Sequence, residues 1–301
     1  MADVFVLGSI NQDFVLQVER RPEPGETVTD ADLATHNGGK GANQAAAAAL
    51  LGADVVFLGR VGDDGFGEPL VEALADKGVD TSLVEAVPDT STGTAFITVT
   101  PDGENEITVA PGANRSITAG DVDAASDTIG GARVLVAQME VQPEVVLRAV
   151  EVAARHGTRA LVNLAPPFEV PRDLLERLDP LVVNEHEAAF LLGRKVEGVD
   201  EAISAAPELL ALGPKSLVIT VGKEGAVLSE GESTEHLPAP EVDVVDTTGA
   251  GDAFVGALAA RLADDAPLKD AVAYAVRAGA AAVTKEGAQG ALPTPATIEA
   301  L

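Results

Sequence analysis

Residues 246–254 read DTTGAGDAF, and the strand–turn–helix unit that they predict is the building block of an α/β fold. The segment lies between a Val-rich stretch, predicted to be a strand, and an Ala-rich stretch at 249–263, predicted to be a helix. Gly249 and Gly251 let the backbone approach an anion closely, and the free amides of a helix N-terminus point towards it. A turn of this composition favours phosphate binding.

Asp252 lies inside this turn, where its negative charge is unsuited to holding a phosphate. A carboxylate in this place can instead accept the proton of a hydroxyl group that attacks the phosphorus atom. Asp is also a favoured residue at helix N-caps, so an ordinary cap explains these nine residues equally well. The segment by itself leaves catalysis and capping open.

On both sides of this segment, short runs rich in Val, Leu and Phe alternate with Ala- and Leu-rich runs. The alternation predicts a doubly wound, mainly parallel α/β sheet with helices on both faces. Near-continuous apolar strands fit burial on both sides of the sheet. Strands are predicted at 4–7, 55–58, 134–137, 161–163, 181–183 and 217–221, and helices at 41–51, 69–77, 143–156, 201–212, 249–263 and 268–285.

Two regions interrupt the alternation, at about residues 12–36 and 93–110. The second region predicts a β-hairpin with its turn at Pro101-Asp102-Gly103. Strands without an intervening helix indicate a small separate sheet, which we expect to cover the main domain as a lid. Residues 1–301 are therefore predicted to form a single domain with a discontinuous β lid.

The charge balance excludes several classes of partner. The chain of 301 residues has 20 basic and 48 acidic side chains, a formal net charge of −28. No cluster of basic residues is present, so we expect no nucleic-acid partner. No apolar run approaches the roughly 18 residues of a membrane span, so we expect no membrane partner and a cytoplasmic location. Scarce Lys and abundant Asp and Glu predict a halophilic protein, because high salt concentration screens the self-repulsion.

The chain has no cysteine, so any catalytic or binding group must be an oxygen or nitrogen atom of a side chain or of the backbone. Several polar segments contain such groups. GGKGANQ at residues 38–44 is not a Walker A loop, but it places backbone amides and the Asn43 side chain at a helix start. This suits sugar hydroxyls, or a capped loop without a ligand. Asn11, Asp13 and Glu140 follow predicted strands, at the edge where an open α/β sheet binds ligands.

Two more segments end predicted strands. Asn184 and Glu187 lie three positions apart and share one face if a helix begins there. Oxygen ligands at this spacing suit Mg²⁺ that is held largely through water. Thr220, Gly222 and Gly225 end the next strand, either as a loop that faces a nucleotide or as a hairpin.

The order of these motifs resembles the ribokinase family of sugar kinases. The resemblance covers residues 3–295 and rests on GSINQD at 8–13, GGKGANQ at 38–44, GAN at 112–114, NEHE at 184–187 and DTTGAGD at 246–252. It implies a kinase that transfers the γ-phosphoryl group of ATP to a sugar hydroxyl, with Mg²⁺ and, in many members, K⁺. It also implies a β-sheet lid and a homodimer formed through the lids.

The resemblance assigns a role to each candidate residue. Asp252 would take the proton from the primary hydroxyl of the sugar, and the backbone amides of Gly249, Ala250, Gly251 and Asp252 would form the anion hole. The sugar would be bound by Asn11, Asp13, Gly38, Gly39, Lys40, Asn43, Glu140 and Asp252. ATP would be bound by Asn184, Thr220, Gly222, Gly225 and Gly251. Glu187 would hold Mg²⁺ through water, and the monovalent cation would lie beside Asp246, Thr248, Lys285 and Gly287.

The substrate implied by the resemblance is D-ribose, phosphorylated at O5 to ribose 5-phosphate. GGKGANQ, the pair Asn11 and Asp13, and Asn163 favour it. Deoxyribose, fructose, ketodeoxygluconate or a nucleoside are alternatives, as is a non-catalytic sugar-binding protein on the same scaffold. Ala291 stands where many relatives have a hydroxyl side chain beside the cation, and Val276 where the family often has a polar residue near the adenine. The nucleotide base therefore stays open.

Overall fold

Strands and helices alternate along the chain in the computed structural model, which describes residues 2–102 and 105–301. The strands are β1 (Val4–Leu7), β2 (Asn11–Gln17), β3 (Asp32–Gly38), β4 (Val55–Gly62), β5 (Val79–Val87), β6 (Gly93–Val99), β7 (Asn105–Ala110), β8 (Val134–Gln138), β9 (Arg159–Asn163), β10 (Leu181–Asn184), β11 (Ser216–Thr220), β12 (Ala226–Glu230) and β13 (Ser233–Leu237). The α-helices are α1 (Lys40–Leu50), α2 (Gly67–Ala75), α3 (Ala119–Ala124), α4 (Ser126–Gly131), α5 (Pro143–His156), α6 (Arg172–Leu175), α7 (Glu185–Leu192), α8 (Gly198–Leu210), α9 (Ala250–Ala263), α10 (Leu268–Ala282) and α11 (Pro295–Glu299).

The larger sheet has the strand order β13-β12-β11-β10-β9-β8-β1-β4-β5 in the described part of the chain. Its strands are parallel from β11 to β5, and β12 and β13 are antiparallel at one edge. The chain starts in the middle at β1, adds strands towards β5, and from β8 onwards adds them on the other side. The direction of winding therefore changes between β1 and β8, and ligands bind beyond the carboxyl ends of the strands at such a point.

Helices pack on both faces of this sheet and bury two separate cores. Val4 and Val6 of β1 belong to one core, whereas Phe5 and Leu7 belong to the other. Successive side chains of a strand point to opposite faces, so this division shows that β1 is covered on both sides. Helices α1, α9 and α10 contribute to the first core and α5 and α8 to the second. The predicted doubly wound, mainly parallel α/β fold is confirmed.

A smaller sheet with the order β3-β2-β6-β7 is built from the two regions that interrupt the alternation. Strand β2 pairs antiparallel with β3 and parallel with β6, and β6 pairs antiparallel with β7. The predicted separate sheet is thus present, and its strands begin at Asn11 and end at Gly38 in the first region. Gly103, the last residue of the predicted hairpin turn, lies outside the described residues.

The Val-rich stretch before Asp246 is not a strand, and the prediction of one is wrong. Strand β13 ends at Leu237, and residues 238–245 form neither helix nor strand. Val244 and Val245 are more than half exposed, and the Val245 amide donates to the carbonyl of Val283 at 2.8 Å. Val-rich composition predicts a strand only where a sheet buries the side chains, and no sheet neighbour is available here.

None of the helices in the described part of the chain combines the length and the apolar character needed to cross a lipid bilayer.

Candidate active site

A cleft of about 250 Å³ opens at the carboxyl edge of the larger sheet. It is lined by the ends of β9, β10 and β11 and by the start of α9, as expected at this edge. Of the residues predicted from the sequence, the cleft brings together Lys40, Asn184, Glu187, Thr220, Gly249, Gly251 and Asp252. It is also lined by Asn163 and Thr247.

The N-terminus of α9 forms one wall of the cleft. Gly249 is the N-cap and has a φ angle of +77°, in the left-handed region that favours glycine. A Cβ atom at this position would lie 3.0 Å from the Cα atom of Ala288, so a larger residue would also collide with the neighbouring loop. No side chain of the described residues caps this helix, and its first amides are left to bind an anion.

Asp252, in the first turn of α9, is turned towards helix α1 and is 7% exposed. Its Oδ2 accepts a hydrogen bond from Nδ2 of Asn43 and its Oδ1 accepts one from Nε2 of Gln44, both at 2.9 Å. The side chain does not cap its own helix, so the explanation of Asp252 as an ordinary N-cap is wrong. Burial raises the pKa of Asp252, while the Lys40 ammonium group and the two amide donors act in the opposite direction. A raised pKa makes a carboxylate a stronger proton acceptor.

A group of carboxylates surrounds Lys40 on the side of the cleft that faces the smaller sheet. Oε2 of Glu140 accepts hydrogen bonds from the Ser9 hydroxyl at 2.5 Å and from the Lys40 amide at 3.0 Å. Burial, together with the charges of Glu140 and Asp252, raises the pKa of Asp13 to about 7, and Lys40 opposes this shift. Asp252 is the main cause that raises the pKa of Lys40, so its ammonium group stays charged.

The predicted sugar-binding residues of the smaller sheet lie where its strands leave the main domain. The Asn114 side chain donates to Oδ1 of Asn11 at 2.8 Å and accepts from the Ile10 amide at 2.9 Å, which fixes the orientation of both amide groups. A Cβ atom at Gly38 would lie 2.0 Å from Oδ2 of Asp13, so only glycine leaves room for this carboxylate. Asp13 thus lies beside Gly38, just before the start of α1, and Asn11 faces Asn114.

Asn184 and Glu187 form a capping box at the start of α7. The Glu187 amide donates to Oδ1 of Asn184 at 2.8 Å, and the Asn184 amide donates to Oε2 of Glu187 at 2.8 Å. The predicted shared helix face is confirmed, and burial raises the pKa of Glu187. The described residues contain no group of three or more His, Cys, Asp or Glu side chains arranged to hold a metal ion. Both carboxylate oxygens of Glu187 accept hydrogen bonds from Asn184.

The loop at the predicted monovalent cation site is held by Asp246. Its Oδ1 accepts hydrogen bonds from the amide and the hydroxyl of Thr248, at 2.9 and 2.7 Å, and its Oδ2 accepts one from the Gly287 amide at 2.8 Å. Burial acts to raise the pKa of Asp246, but these hydrogen bonds outweigh it and the pKa is lowered. The charged carboxylate ties the loop of Lys285 and Gly287 to the start of α9.

Two glycines that were predicted to bind ATP do not line the cleft. Gly222 and Gly225 lie in the tight turn between the antiparallel strands β11 and β12, so the predicted hairpin is present. A Cβ atom at Gly225 would lie 2.2 Å from the carbonyl oxygen of Leu237, which explains the glycine by packing. Val276 is buried in the core that α10 shares with α9, and Ala291 is also buried.

Three buried side-chain amides lie near Asp252, and the sequence analysis assigns none of them a role at this carboxylate. Gln44 lies in the GGKGANQ segment, Gln138 ends β8 and Asn163 ends β9. The signal for Gln138 and Asn163 is a polar residue where an apolar strand ends, next to the predicted ligand edge.

Comparisons with known proteins identify the family and the fold of the chain. The family model described as pfkB family carbohydrate kinase matches residues 1–295. The chain is 40% identical over 293 residues to the ribokinase of Staphylococcus aureus, and the match covers 96% of each chain. It is 36% identical over 293 residues to the deoxyribokinase of Salmonella typhimurium, covering 97% of this chain and 96% of the relative. Among solved structures, Arabidopsis thaliana ribokinase complexed with ribose and ATP aligns with a TM-score of 0.91 at 30% identity, covering 99% of this chain and 98% of that one.

Proposed function

The chain belongs to the pfkB family of carbohydrate kinases, phosphotransferases that act on a sugar hydroxyl, and we propose that it transfers the γ-phosphoryl group of ATP to O5 of D-ribose. The observation that carries this proposal is the position of Asp252. Its buried carboxylate lies between the uncapped start of α9, which suits a phosphoryl group, and the polar residues that face the smaller sheet. A hydroxyl group bound between them would lie next to both a base and an anion site.

In the proposed reaction, Asp252 accepts the proton of the O5 hydroxyl while O5 forms a bond to the γ-phosphorus of ATP. The bond between the γ-phosphorus and its bridging oxygen breaks, and the products are ribose 5-phosphate and ADP. The amides of Gly249, Ala250, Gly251 and Asp252 stabilise the negative charge on the transferring oxygens. Lys40, charged and lining the same cleft, adds a positive charge close to the phosphates.

Two buried acceptors favour ribose over 2-deoxyribose. Oδ1 of Asp13 and Oδ1 of Asn43 are buried and have no hydrogen-bond partner in the described structure. Buried polar atoms are normally hydrogen-bonded, so both are suited to accept from sugar hydroxyls. A sugar that lacks a hydroxyl leaves one of these acceptors unpaired, and a site built for a hydroxyl discriminates strongly against such an analogue. We infer that Asn11, Gly38, Gly39 and Glu140 complete the sugar site.

The nucleotide and its cations would bind on the opposite side of Asp252. Asn184, Thr220 and Gly251 line this part of the cleft, and Gly222 and Gly225 follow β11. Glu187 would hold Mg²⁺ through water, and the ion would shield the phosphate charges. Asp246, Thr248 and the loop of Lys285 and Gly287 offer oxygen atoms to K⁺, whereas Ala291 supplies no side-chain ligand.

The proposal is tested by measuring ADP release with Mg-ATP across ribose, 2-deoxyribose, fructose, ketodeoxygluconate and nucleosides. We expect ribose to have the highest kcat/KM, exceeding 2-deoxyribose by about tenfold or more. The position of the phosphate is read from the NMR spectrum of the product. A higher kcat/KM for another sugar would identify that sugar, and not ribose, as the preferred substrate. No turnover with any compound, together with measurable sugar binding, would favour the non-catalytic alternative.

We further propose that two copies associate through their smaller sheets. These sheets expose apolar side chains on both faces, with Leu33, Phe96, Ile107 and Val109 each between 43% and 60% exposed. A sheet with an exposed edge and exposed apolar faces favours pairing with another chain. Sedimentation of the native chain at micromolar concentration is expected to give a dimer, and Ile107→Glu a monomer. A native monomer would contradict this proposal.

We also propose that the chain works at high ionic strength. With a net charge of −28, its acidic side chains repel one another and also repel the anionic ATP. The melting temperature is expected to rise with KCl concentration as the ions screen this repulsion. A melting temperature that does not change with KCl would contradict it.

A further inference from the structure

The orientation of the Asp252 carboxylate depends on two amide side chains of α1. Asn43 and Gln44 each donate one hydrogen bond to it, at 2.9 Å, and both are at least 95% buried. Helices α1 and α9 approach closely at this level, because a Cβ atom at Gly256, one turn after Asp252, would lie 2.7 Å from the Gln44 carbonyl oxygen. The two donors are therefore held against the carboxylate by helix packing.

The amide of Gln44 can donate to Asp252 only in one orientation. If it rotated by half a turn, its Oε1 would face Oδ1 of Asp252 and the two oxygens would repel each other. Nε2 of Gln138 donates to Oε1 of Gln44 at 2.6 Å, and Nε2 of Gln44 also donates to Oδ1 of Asn163 at 3.1 Å. Both contacts are satisfied only when Nε2 of Gln44 faces Asp252.

Gln138 is held by packing and by its hydrogen bond to Gln44. It ends β8 and is fully buried, and its Oε1 lies against Gly8, where an added Cβ atom would lie 2.3 Å away, and accepts no hydrogen bond in the described structure. A rotated amide would place two acceptor oxygens, of Gln138 and Gln44, opposite each other. A chain of hydrogen bonds thus runs from the end of β8, through Gln44, to Asp252.

We propose that Gln138 is a positioning residue, which holds the Gln44 amide so that it donates to Asp252 and directs the carboxylate at the sugar hydroxyl. This inference rests on the proposed role of Asp252 as the base. Gln138 lies behind Gln44, so it acts without touching substrate. When the Gln138 donor is removed, Oε1 of Gln44 becomes a buried acceptor without a partner, and Gln44 moves to satisfy it at the expense of Asp252.

Gln138→Met removes the donor and keeps an unbranched side chain of similar length. We expect kcat to fall by about tenfold or more, because small errors in the position of a catalytic group are costly, while KM for sugar and for ATP changes by less than about threefold. The acid limb of the pH profile of kcat should move to higher pH, since Asp252 loses an amide donor that lowers its pKa. Gln138→Leu repeats the test in case the Met variant does not fold.

The matched control is Thr158→Val, which removes a buried hydrogen bond to the Ile129 carbonyl at the opposite, amino edge of the sheet. It should lower the melting temperature by a similar amount and leave kcat unchanged. A loss of kcat in Gln138→Met that merely follows the unfolded fraction, or a kcat within about threefold of the native value, would overturn the proposal.

The double variant separates this inference from the proposed function. If Gln138 acts through Asp252, adding Gln138→Met to Asp252→Asn changes the residual kcat by less than about twofold, since the effects of groups that act as a unit are not additive. A further tenfold loss in the double variant would show that Gln138 acts by another route. A fully active Asp252→Asn would overturn the base itself, whereas an inactive Asp252→Asn with a fully active Gln138→Met would overturn the positioning role alone.

Discussion

Helices α7 and α9 begin at the same edge of the sheet and carry an acidic residue at the same position, the third of the helix, yet the two acids make different contacts. Glu187 folds back onto the start of its own helix and forms a capping box with Asn184. Asp252 leaves the start of its helix uncapped and instead accepts hydrogen bonds from α1. A carboxylate that caps a helix stabilises the fold, whereas one that is turned away leaves both itself and the helix amides available to substrates.

The comparison predicts its largest effect at Asp252. Asp252→Asn is expected to lower kcat by about 10³-fold, because the amide cannot accept the proton, with KM for sugar changed by only a few fold. Steady-state kinetics and sugar titration on the same preparation measure both quantities. A kcat close to the native value would show that Asp252 is not the proton acceptor and does not differ from Glu187 in this respect.

The second test disturbs the uncapped start of α9. Gly249→Ala puts alanine at a left-handed backbone position, with its Cβ atom 3.0 Å from the Cα atom of Ala288. We expect kcat to fall by roughly tenfold to a hundredfold, because the amides proposed to bind the phosphoryl group are displaced. Backbone strain should also reduce the free energy of unfolding by about 1 kcal/mol or more. Gly52→Ala, at another left-handed glycine with open space around it, is the control for strain alone and should retain full kcat.

A third acid in the same site, Asp13, sharpens the comparison through pH. Its pKa is raised from 3.8 to about 7 in the folded protein, so folding takes up a proton between these values. The contribution of Asp13 to the stability of the chain therefore falls as the pH rises from about 4 to 7 and is constant above. Asp13→Asn removes this loss, so its stabilising effect should be about 2–3 kcal/mol larger at pH 8 than at pH 5. Denaturant unfolding at the two pH values measures it, and equal effects at both would contradict the assignment.

The smallest effect is expected at the cap of α7. Asn184→Ala removes the capping side chain and should lower the free energy of unfolding by about 1 kcal/mol, with kcat changed far less than in Asp252→Asn. Thr118→Ala removes the corresponding capping residue of α3, which is remote from the cleft, and should match the loss of stability. A loss of kcat as large as that of Asp252→Asn would mean that the Asn184–Glu187 pair acts in the chemistry itself.

Much of the fold could be predicted from local patterns in the sequence. Helix α5 has the predicted bounds of 143–156, and the predicted strand at 4–7 coincides with β1, because the apolar runs of a doubly wound sheet directly reflect burial on both faces. The strand predicted in the Val-rich stretch at 242–245 is absent for the same reason. The side chains of Val244 and Val245 are exposed and have no sheet to join. Apolar composition predicts a strand only where the tertiary fold supplies neighbours.

The site was predictable in its parts and not in its connections. The glycine turn and the acid within it are contiguous in sequence, so nine residues are enough to predict them as candidates for phosphate binding and catalysis, with an N-cap as the alternative. The contacts of Asp252 with Gln44 and of Gln44 with Gln138 join residues 208 and 94 positions apart. No local pattern encodes which of several polar side chains at the ligand edge will meet.

The sequence by itself determined the alternating α/β fold, the glycine turn before α9 and the acidic residue within that turn, because these follow from backbone freedom and apolar periodicity within short segments. Only the tertiary structure decided that Asp252 faces α1 while Glu187 caps its own helix. That choice depends on the close packing of α1 on α9 at Gly256, which brings the side-chain amides of Asn43 and Gln44 to Asp252. The donors to Glu187 come instead from Asn184, at the start of its own helix.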